Sequence, residues 1–158
     1  MLSRSQITHF ANYTVLLAQR QVDKGGLPFS SIIVDQHGNC IGEGVNQVNE
    51  LHDCTAHAEI QAIRAAAQSL GRASLAGSTL FASGEPCGLC YRAIRLAGIT
   101  QVVVLLDRHE VKQLGYDYLW TYELATDTNP APKVDSLITE VKSAPFRKSQ
   151  RTLADIGL

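Results

Sequence analysis

Two short stretches, far apart in the chain, make chemical sense only together. The first is Thr55-Ala56-His57-Ala58-Glu59, and the second is Gly84-Glu85-Pro86-Cys87-Gly88-Leu89-Cys90. One imidazole and two thiols form a soft N/S donor set of the kind that selects zinc. Three protein donors are the number found where the fourth position stays open to water, whereas a structural site takes four. A structural zinc knuckle would need one more Cys or His. Cys54, three residues before His57, is within reach, but its use would close the position that catalysis requires. Any fold for this chain has to bring residues 57, 87 and 90 to one point.

That requirement sets the local geometry. Residues two apart on an ideal helix point about 200° away from each other, so His57 and Glu59 share one site only at an irregular helix start. The polar loop Gln47 to Thr55 delivers the chain to that start. Pro86 fits the first turn of a further helix, where its missing N–H costs nothing. Cys87 and Cys90, at i and i+3, then share a face of it. The positive end of that helix favours thiolates.

The composition narrows the class. Apolar residues make up 45% of the 158, enough to build a core. A net charge of −1 provides no general field to gather nucleic acid. The longest aliphatic run, Val102 to Leu106, is far too short to cross a bilayer. Residues 1 to 6 carry no signal-peptide core, so a cytoplasmic protein without membrane contact is expected. In that setting Cys87-x-x-Cys90 reads as metal-binding or redox rather than a disulfide. A redox pair would leave the His57-x-Glu59 partner without a purpose.

Along the chain, residues 3 to 22 show helical spacing of Ile7, Phe10, Ala11, Val15 and Ala18, capped by Ser3 or Ser5 and ended by Gly25-Gly26. Ser30 to Asp35 and Cys40 to Asn46 form a hairpin around Gln36-His37-Gly38-Asn39, with Cys40 expected as a small core residue. A helix over His57 to Leu70, a strand over Thr79 to Ser83, the Pro86 helix ending at Gly98, and a doubly buried strand over Gln101 to Leu106 follow. This order predicts an α/β fold: a three-layer α-β-α sandwich with a mixed five-stranded central sheet flanked by helices. One zinc-dependent domain over 1–158 is expected, with no repeats. Val111 to Thr128 reads as a helical loop or lid rich in aromatics, suited to stacking on a flat ring or to packing on the sheet. Asn129-Pro130-Ala131-Pro132 is a break, Val134 to Val141 reads equally as strand or helix, and Pro145 to Ile156 closes the chain as a helix.

The pattern H-x-E…P-C-x-x-C is the signature of zinc nucleobase deaminases. One Zn²⁺ per subunit, with a bound water, is the cofactor it calls for. Coordination lowers the pKa of water from 15.7 to about 7. Two thiolates neutralise much of the metal charge, which makes a proton acceptor more necessary, and Glu59 is the candidate for shuttling that proton. Glu85 is the other nearby carboxylate. Its expected part is to stabilise the helix start through the dipole.

At His57-Ala58-Glu59 and Pro86-Cys87-x-x-Cys90 the chain resembles the cytidine deaminase-like superfamily. Pro28-Phe29, Gly42-Glu43-Gly44-x-Asn46 and Leu114-Gly115-Tyr116-Asp117 are similar to the bacterial guanine deaminase branch, over about residues 25 to 125. The resemblance implies a homodimer, with zinc on His57, Cys87 and Cys90, and in that branch the C-terminal segment can be exchanged between subunits. It implies that Asn46 holds the substrate ring by its amide and Ala58 by its backbone, while Phe29 packs against it. Two features depart from the branch. Tyr118 stands where it carries a second acid, and the chain ends Asp155-Ile156-Gly157-Leu158, similar to fungal cytosine deaminases, in which the aspartate and isoleucine contact the pyrimidine. Thr152 stands where that second family has a tryptophan.

A guanine-like purine is therefore the favoured small-molecule substrate, with cytosine or an aminotriazine as alternatives. A tRNA adenosine deaminase is a further alternative. It would need basic residues for phosphates, and the only cluster is Lys142, Arg147, Lys148 and Arg151, which reads as the solvated face of the last helix. A non-enzymatic zinc-binding module is the third, and Glu59 argues against it, since a structural site has no use for a carboxylate beside the metal.

Overall fold

The structure is a computed structural model that describes residues 1–123, 133–136 and 142–155. The elements run α1 (Arg4–Asp23), β1 (Ser30–Val34), β2 (Cys40–Val45), α2 (Val48–Leu51), α3 (Ala58–Leu70), β3 (Thr79–Gly84), α4 (Gly88–Leu96), β4 (Gln101–Leu106), α5 (Arg108–Gln113), α6 (Trp120–Glu123), β5 (Lys133–Ser136) and α7 (Ala144–Asp155). The sheet order is β2-β1-β3-β4-β5. β1 pairs antiparallel with both β2 and β3, whereas β3–β4 and β4–β5 are parallel. The strands β1 to β4 carry the core, and β5 adds a short segment at the outer edge.

Alternation along the strands divides the core between two faces. Ile33, Leu80, Ala82, Val102 and Val104 face α3 and α4 and pack on Ala62, Ala66, Ile94 and Ala97. Ile32, Val34, Phe81, Val103 and Leu105 face the opposite way onto Phe10, Ala11 and Val15 of α1. β4 is buried from Val102 onward, as a parallel strand covered on both faces must be. Helix α1 begins with a reciprocal cap. Ser3 Oγ accepts from the Gln6 N–H, and Gln6 Oε1 accepts from the Ser3 N–H.

Three local expectations are corrected. Cys40 is exposed rather than in the core. Ile33 pairs with Gly42 but Val34 pairs with Cys40, so Ile41 is an extra residue in β2. That bulge reverses the side-chain parity. Ile41 goes to the α3 face, and Cys40 stands beside Glu43, whose carboxylate accepts from Tyr13 of α1. The stretch between β2 and α3 is not all loop, because α2 forms within it. Pro86 lies before α4 rather than in its first turn. Cys87 is the N-cap, in extended conformation at φ −70°, ψ 173°.

The topology gathers one end of the sheet. The start of β1 and the carboxyl ends of β2, β3 and β4 lie together, since β1 runs against the other three. Residues just outside them are Phe29, Asn46, Glu85 and Asp107. In open α/β sheets this end is where ligands bind.

α3 lies so close on β2 that Gly44 has no room for a side chain. A Cβ there would strike the Ala58 carbonyl and the Ala62 nitrogen. Gly44→Ala is expected to cost ~1–3 kcal/mol through forced displacement of α3, read as a lower urea midpoint. Gly71→Ala, at φ 62° with open space around it, is expected to cost about 1 kcal/mol from the left-handed backbone alone.

Candidate active site

Both stretches singled out in the sequence end at helix starts. His57 is the N-cap of α3, extended at φ −69°, ψ 157°, and Cys87 is the N-cap of α4. An extended residue at 57 followed by helix from 58 removes the 200° problem, so the His57 and Glu59 side chains both reach the same place. His57 Nδ1 lies 3.4 Å from Cys87 Sγ and 3.4 Å from Cys90 Sγ, and the two sulfurs are 3.5 Å apart. The Cys87 thiol is the main influence holding the imidazole toward its protonated form, with the Cys54 backbone a minor contributor in the same direction. The Cys54 thiol is exposed and is not part of the cluster.

These distances suit a tetrahedral zinc. With Zn–S near 2.3 Å and Zn–N near 2.0–2.1 Å, tetrahedral angles separate two sulfurs by about 3.8 Å and sulfur from nitrogen by about 3.5 Å. The triad is nearly at that spacing already. His57, Cys87 and Cys90 also form the one group of this kind among the described residues that could hold a metal. Without a metal the donors share protons. Cys87 is held down to about 4, first by the hydrogen bond with Cys90 and then by His57, while its partner Cys90 is pushed up.

Glu59, in the first turn of α3, is only 5% exposed. Burial, against the pull of its own N–H and the Cys90 thiol, pushes its carboxyl up to about 7. A group at that value gives and takes protons near neutrality. A divalent cation at the triad acts the other way and favours the carboxylate.

His57, Cys87 and Glu59 open onto a cavity of about 400 Å³, with Cys90 buried behind them. Phe29, Asn46, Ala58, Tyr116, Tyr118, Trp120 and Thr121 also line it. Phe29 stands edge-on to Tyr116, with ring centroids 5.3 Å apart. Asn46 is fixed on three sides. Its N–H donates to the Phe29 carbonyl, its carbonyl accepts from Gln21 Nε2, and its Oδ1 accepts from the Val48 N–H. With Oδ1 committed, the NH₂ group is the part of this cavity-lining amide left to donate to a ligand. Ala58 brings a first-turn N–H, which has no intrahelical acceptor. Asp155 ends α7; its side chain and that of Thr152, together with Ile156 and the break at Asn129 to Pro132, lie outside what the structure describes.

Tyr118 is in the cavity wall, with its hydroxyl donating to the Glu85 carbonyl at 2.6 Å. Burial first, then the neighbouring Tyr122 and carboxylates, drive its ionisation far upward. It is a fixed donor and not a second proton shuttle. Glu85 has a different part from the dipole role expected of it. Its carboxylate accepts from the Arg108 N–H and guanidinium, both at 2.7 Å, and from the Tyr91 hydroxyl at 3.1 Å. It ties the end of β3 to the start of α5. Gln21, Arg108 and Thr121 carry no local sequence signal for these contacts, and Tyr122 is marked only by lying in the aromatic-rich stretch Val111 to Thr128.

The sequence profile of the cytidine and deoxycytidylate deaminase zinc-binding region matches residues 4–106. The chain belongs to the cytidine and deoxycytidylate deaminase family. Guanine deaminase of Bacillus subtilis (strain 168) is 37% identical over 115 residues, 72% of this chain and 73% of that protein. A tRNA-specific adenosine deaminase of Agrobacterium fabrum is 36% identical over 95 residues, 60% of this chain and 62% of its own length. The chain therefore matches less than two thirds of that relative. The solved structure of the B. subtilis guanine deaminase superposes with a TM-score of 0.71 at 30% identity, covering 95% of both chains. A structure from work on A-to-I editing by tRNA:A34 deaminases gives 0.69 at 29%, covering 82% of this chain and 98% of that one. Family membership makes the chain a zinc-type aminohydrolase. Guanine and tRNA deaminases lie at comparable distance from it.

Two outcomes are expected at this site. Cys87→Ser and Cys90→Ser each lower zinc content well below one per chain, measured by elemental analysis after dialysis, and remove the cobalt–thiolate absorption band in proportion. In metal-free protein, Glu59 keeps its proton in the fold at pH values where the unfolded chain has lost it. Its raised value therefore contributes stability below about pH 4.5 that is lost as pH rises toward 7. Glu59→Gln is expected to gain on wild type by a few kcal/mol, roughly 3 at most, between pH 4.5 and 7.5 in urea titrations with a chelator present.

Proposed function

We propose that the protein hydrolytically deaminates an amino-substituted heterocyclic base, with a guanine-like purine favoured. The observation that carries this reading is the buried Glu59 beside the His57, Cys87 and Cys90 cluster, at the base of a small aromatic-walled cavity. About 400 Å³ lies at the lower end of small-molecule sites. Zinc held by His57 Nδ1 and the two thiolates supplies a Lewis acid and a water nucleophile available near neutral pH.

The chain's own groups do the rest. Phe29 and Tyr118 hold the flat ring by its faces and edge, and the Asn46 NH₂ donates to an acceptor on it. The Ala58 N–H gives a second, backbone contact. Glu59 accepts a proton as water adds to the carbon bearing the amino group, and delivers it to the adjacent ring nitrogen. It then moves the hydroxyl proton to the amine. The exocyclic C–N bond breaks, the carbonyl forms, and ammonia leaves. One carboxyl alternating as base and acid needs a pKa near the working pH and little movement.

The same reading takes residues 1–158 as one deaminase domain, a cytoplasmic homodimer with one zinc per subunit. No helix among the described residues is long and apolar enough to cross a membrane. A tRNA adenosine substrate is the second reading. It is supported by the comparable similarity of tRNA-specific relatives. The basic cluster near the end gives it little support, since Lys142 pairs with Glu110 and Lys148 with Asp23.

The test is ammonia release from guanine, cytosine, adenine, aminotriazines, their nucleosides and tRNA. Release from a free purine is expected. Glu59→Ala should lower it by ~10²-fold or more with zinc content unchanged. Activity on tRNA alone would replace the substrate assignment. Silence of zinc-loaded protein on the whole panel would remove the enzyme reading.

A further inference from the structure

Cys87 occupies the N-cap of α4, but its side chain makes no cap bond, because the sulfur faces the metal cluster. The Gly88 N–H, first of the helix, needs an acceptor from elsewhere. Thr121 Oγ1 supplies it at 2.9 Å, while donating to the Tyr118 carbonyl at 2.8 Å. Two neighbouring carbonyls are held from the same short segment. The Tyr118 hydroxyl donates to that of Glu85 at 2.6 Å, and the Tyr122 hydroxyl donates to that of Pro86. A Cβ on Gly88 would strike the Thr121 carbonyl, so a glycine is what lets the segment approach. The outer side is closed as well. The Arg108 guanidinium lies 3.6 Å over the Tyr122 ring and pairs with the Glu85 carboxylate at 2.7 Å.

We propose that residues 118–122 are a positioning strap for the metal loop, with Thr121 as a cap supplied from outside the helix and Tyr118 and Tyr122 as braces on the two peptides before Cys87. This rests on the zinc reading of the site. These bonds run from the strap to backbone groups and not to the three ligand side chains. It fixes the backbone from which Cys87 and Cys90 project, so its loss lets the sulfurs leave the spacing that zinc requires. The same segment gives the cavity Tyr118, Trp120 and Thr121. One short element therefore sets both the hold on the metal and the far wall of the base pocket.

The test follows zinc release from fully loaded protein to an excess of chromophoric chelator, in the absence of any base. Thr121→Val keeps the shape and removes the cap, and Tyr122→Phe removes one brace. Each is expected to release zinc 10- to 100-fold faster, the usual loss when an outer-shell partner of a metal site is removed. Thr121→Ser restores the hydroxyl and is expected within about twofold of wild type. The urea midpoint of each metal-free variant separates positioning from general loosening. Release at the wild-type rate, or acceleration matched by an equal fall in metal-free stability, would overturn the strap. Wild-type protein that takes up no zinc would overturn the site reading and the strap with it. A zinc-loaded wild type with unaltered variants would overturn the strap alone.

Discussion

The arrangement of this protein follows from putting metal donors at helix N-caps. His57 and Cys87 each occupy the residue where a helix normally obtains a side-chain oxygen for its free N–H groups, and neither makes that bond. The cost is two helix starts that their own N-cap side chains leave uncapped, and at α4 the Thr121 hydroxyl takes over that bond. The gain is that two positive helix ends converge on one point, where they favour thiolate sulfur and, beside it, carboxylate oxygen. An extended N-cap also sends its side chain away from the helix path. This is how His57 and Glu59 reach one site despite a spacing that an unbroken helix would forbid. The sheet supplies the remaining precision. α3 lies on β2 with no space at Gly44, and the end of β3 leads directly into Glu85-Pro86-Cys87.

Burial then shapes the acid–base group. Glu59 is a carboxyl in an apolar setting, and its neighbours only partly offset the penalty on its charge. Glu85, six residues from Tyr91, shows the contrary solution. It is nearly as buried, yet receives an arginine, a tyrosine hydroxyl and a backbone N–H. Two carboxylates near the same ligands thus have separate tasks. In the proposed reaction the one without an arginine partner moves protons, while the one paired with Arg108 is structural.

Much of the site was legible because its chemistry is local. His57-x-Glu59 and Cys87-x-x-Cys90 announce donor identity and number, and the need for a helix start at each follows from geometry. Gln101 to Leu106 announced a doubly covered strand by its unbroken aliphatic run. What stayed hidden depended on contacts between distant segments. The bulge at Ile41, which turns Cys40 outward, leaves no mark in a pattern of alternate residues. Thr121 is an ordinary polar residue until the fold puts it under the Gly88 N–H. The partner of Glu85, Arg108, sits 23 residues later in the chain. Pro86 stands two positions before the first residue of α4 and not in its first turn, and Pro before an N-cap and Pro after it look the same in sequence.

The division of labour along the chain bears on substrate. The family match covers residues 4–106, and within it lie the three donors, Glu59, Asn46 and Phe29. In the proposed reaction these groups serve the reacting carbon and one edge of a ring, a task common to a free base and a base carried on RNA. The opposite wall, with Tyr116, Tyr118, Trp120 and Thr121, comes from beyond residue 106. Similarity to guanine and tRNA deaminases alike is then expected of the shared part, and discrimination falls to the later part. Trp120, 63% exposed at the cavity mouth, offers an aromatic face to whatever enters. The net charge of −1 offers phosphates no general attraction, so under the proposed reading this entrance works through stacking and shape.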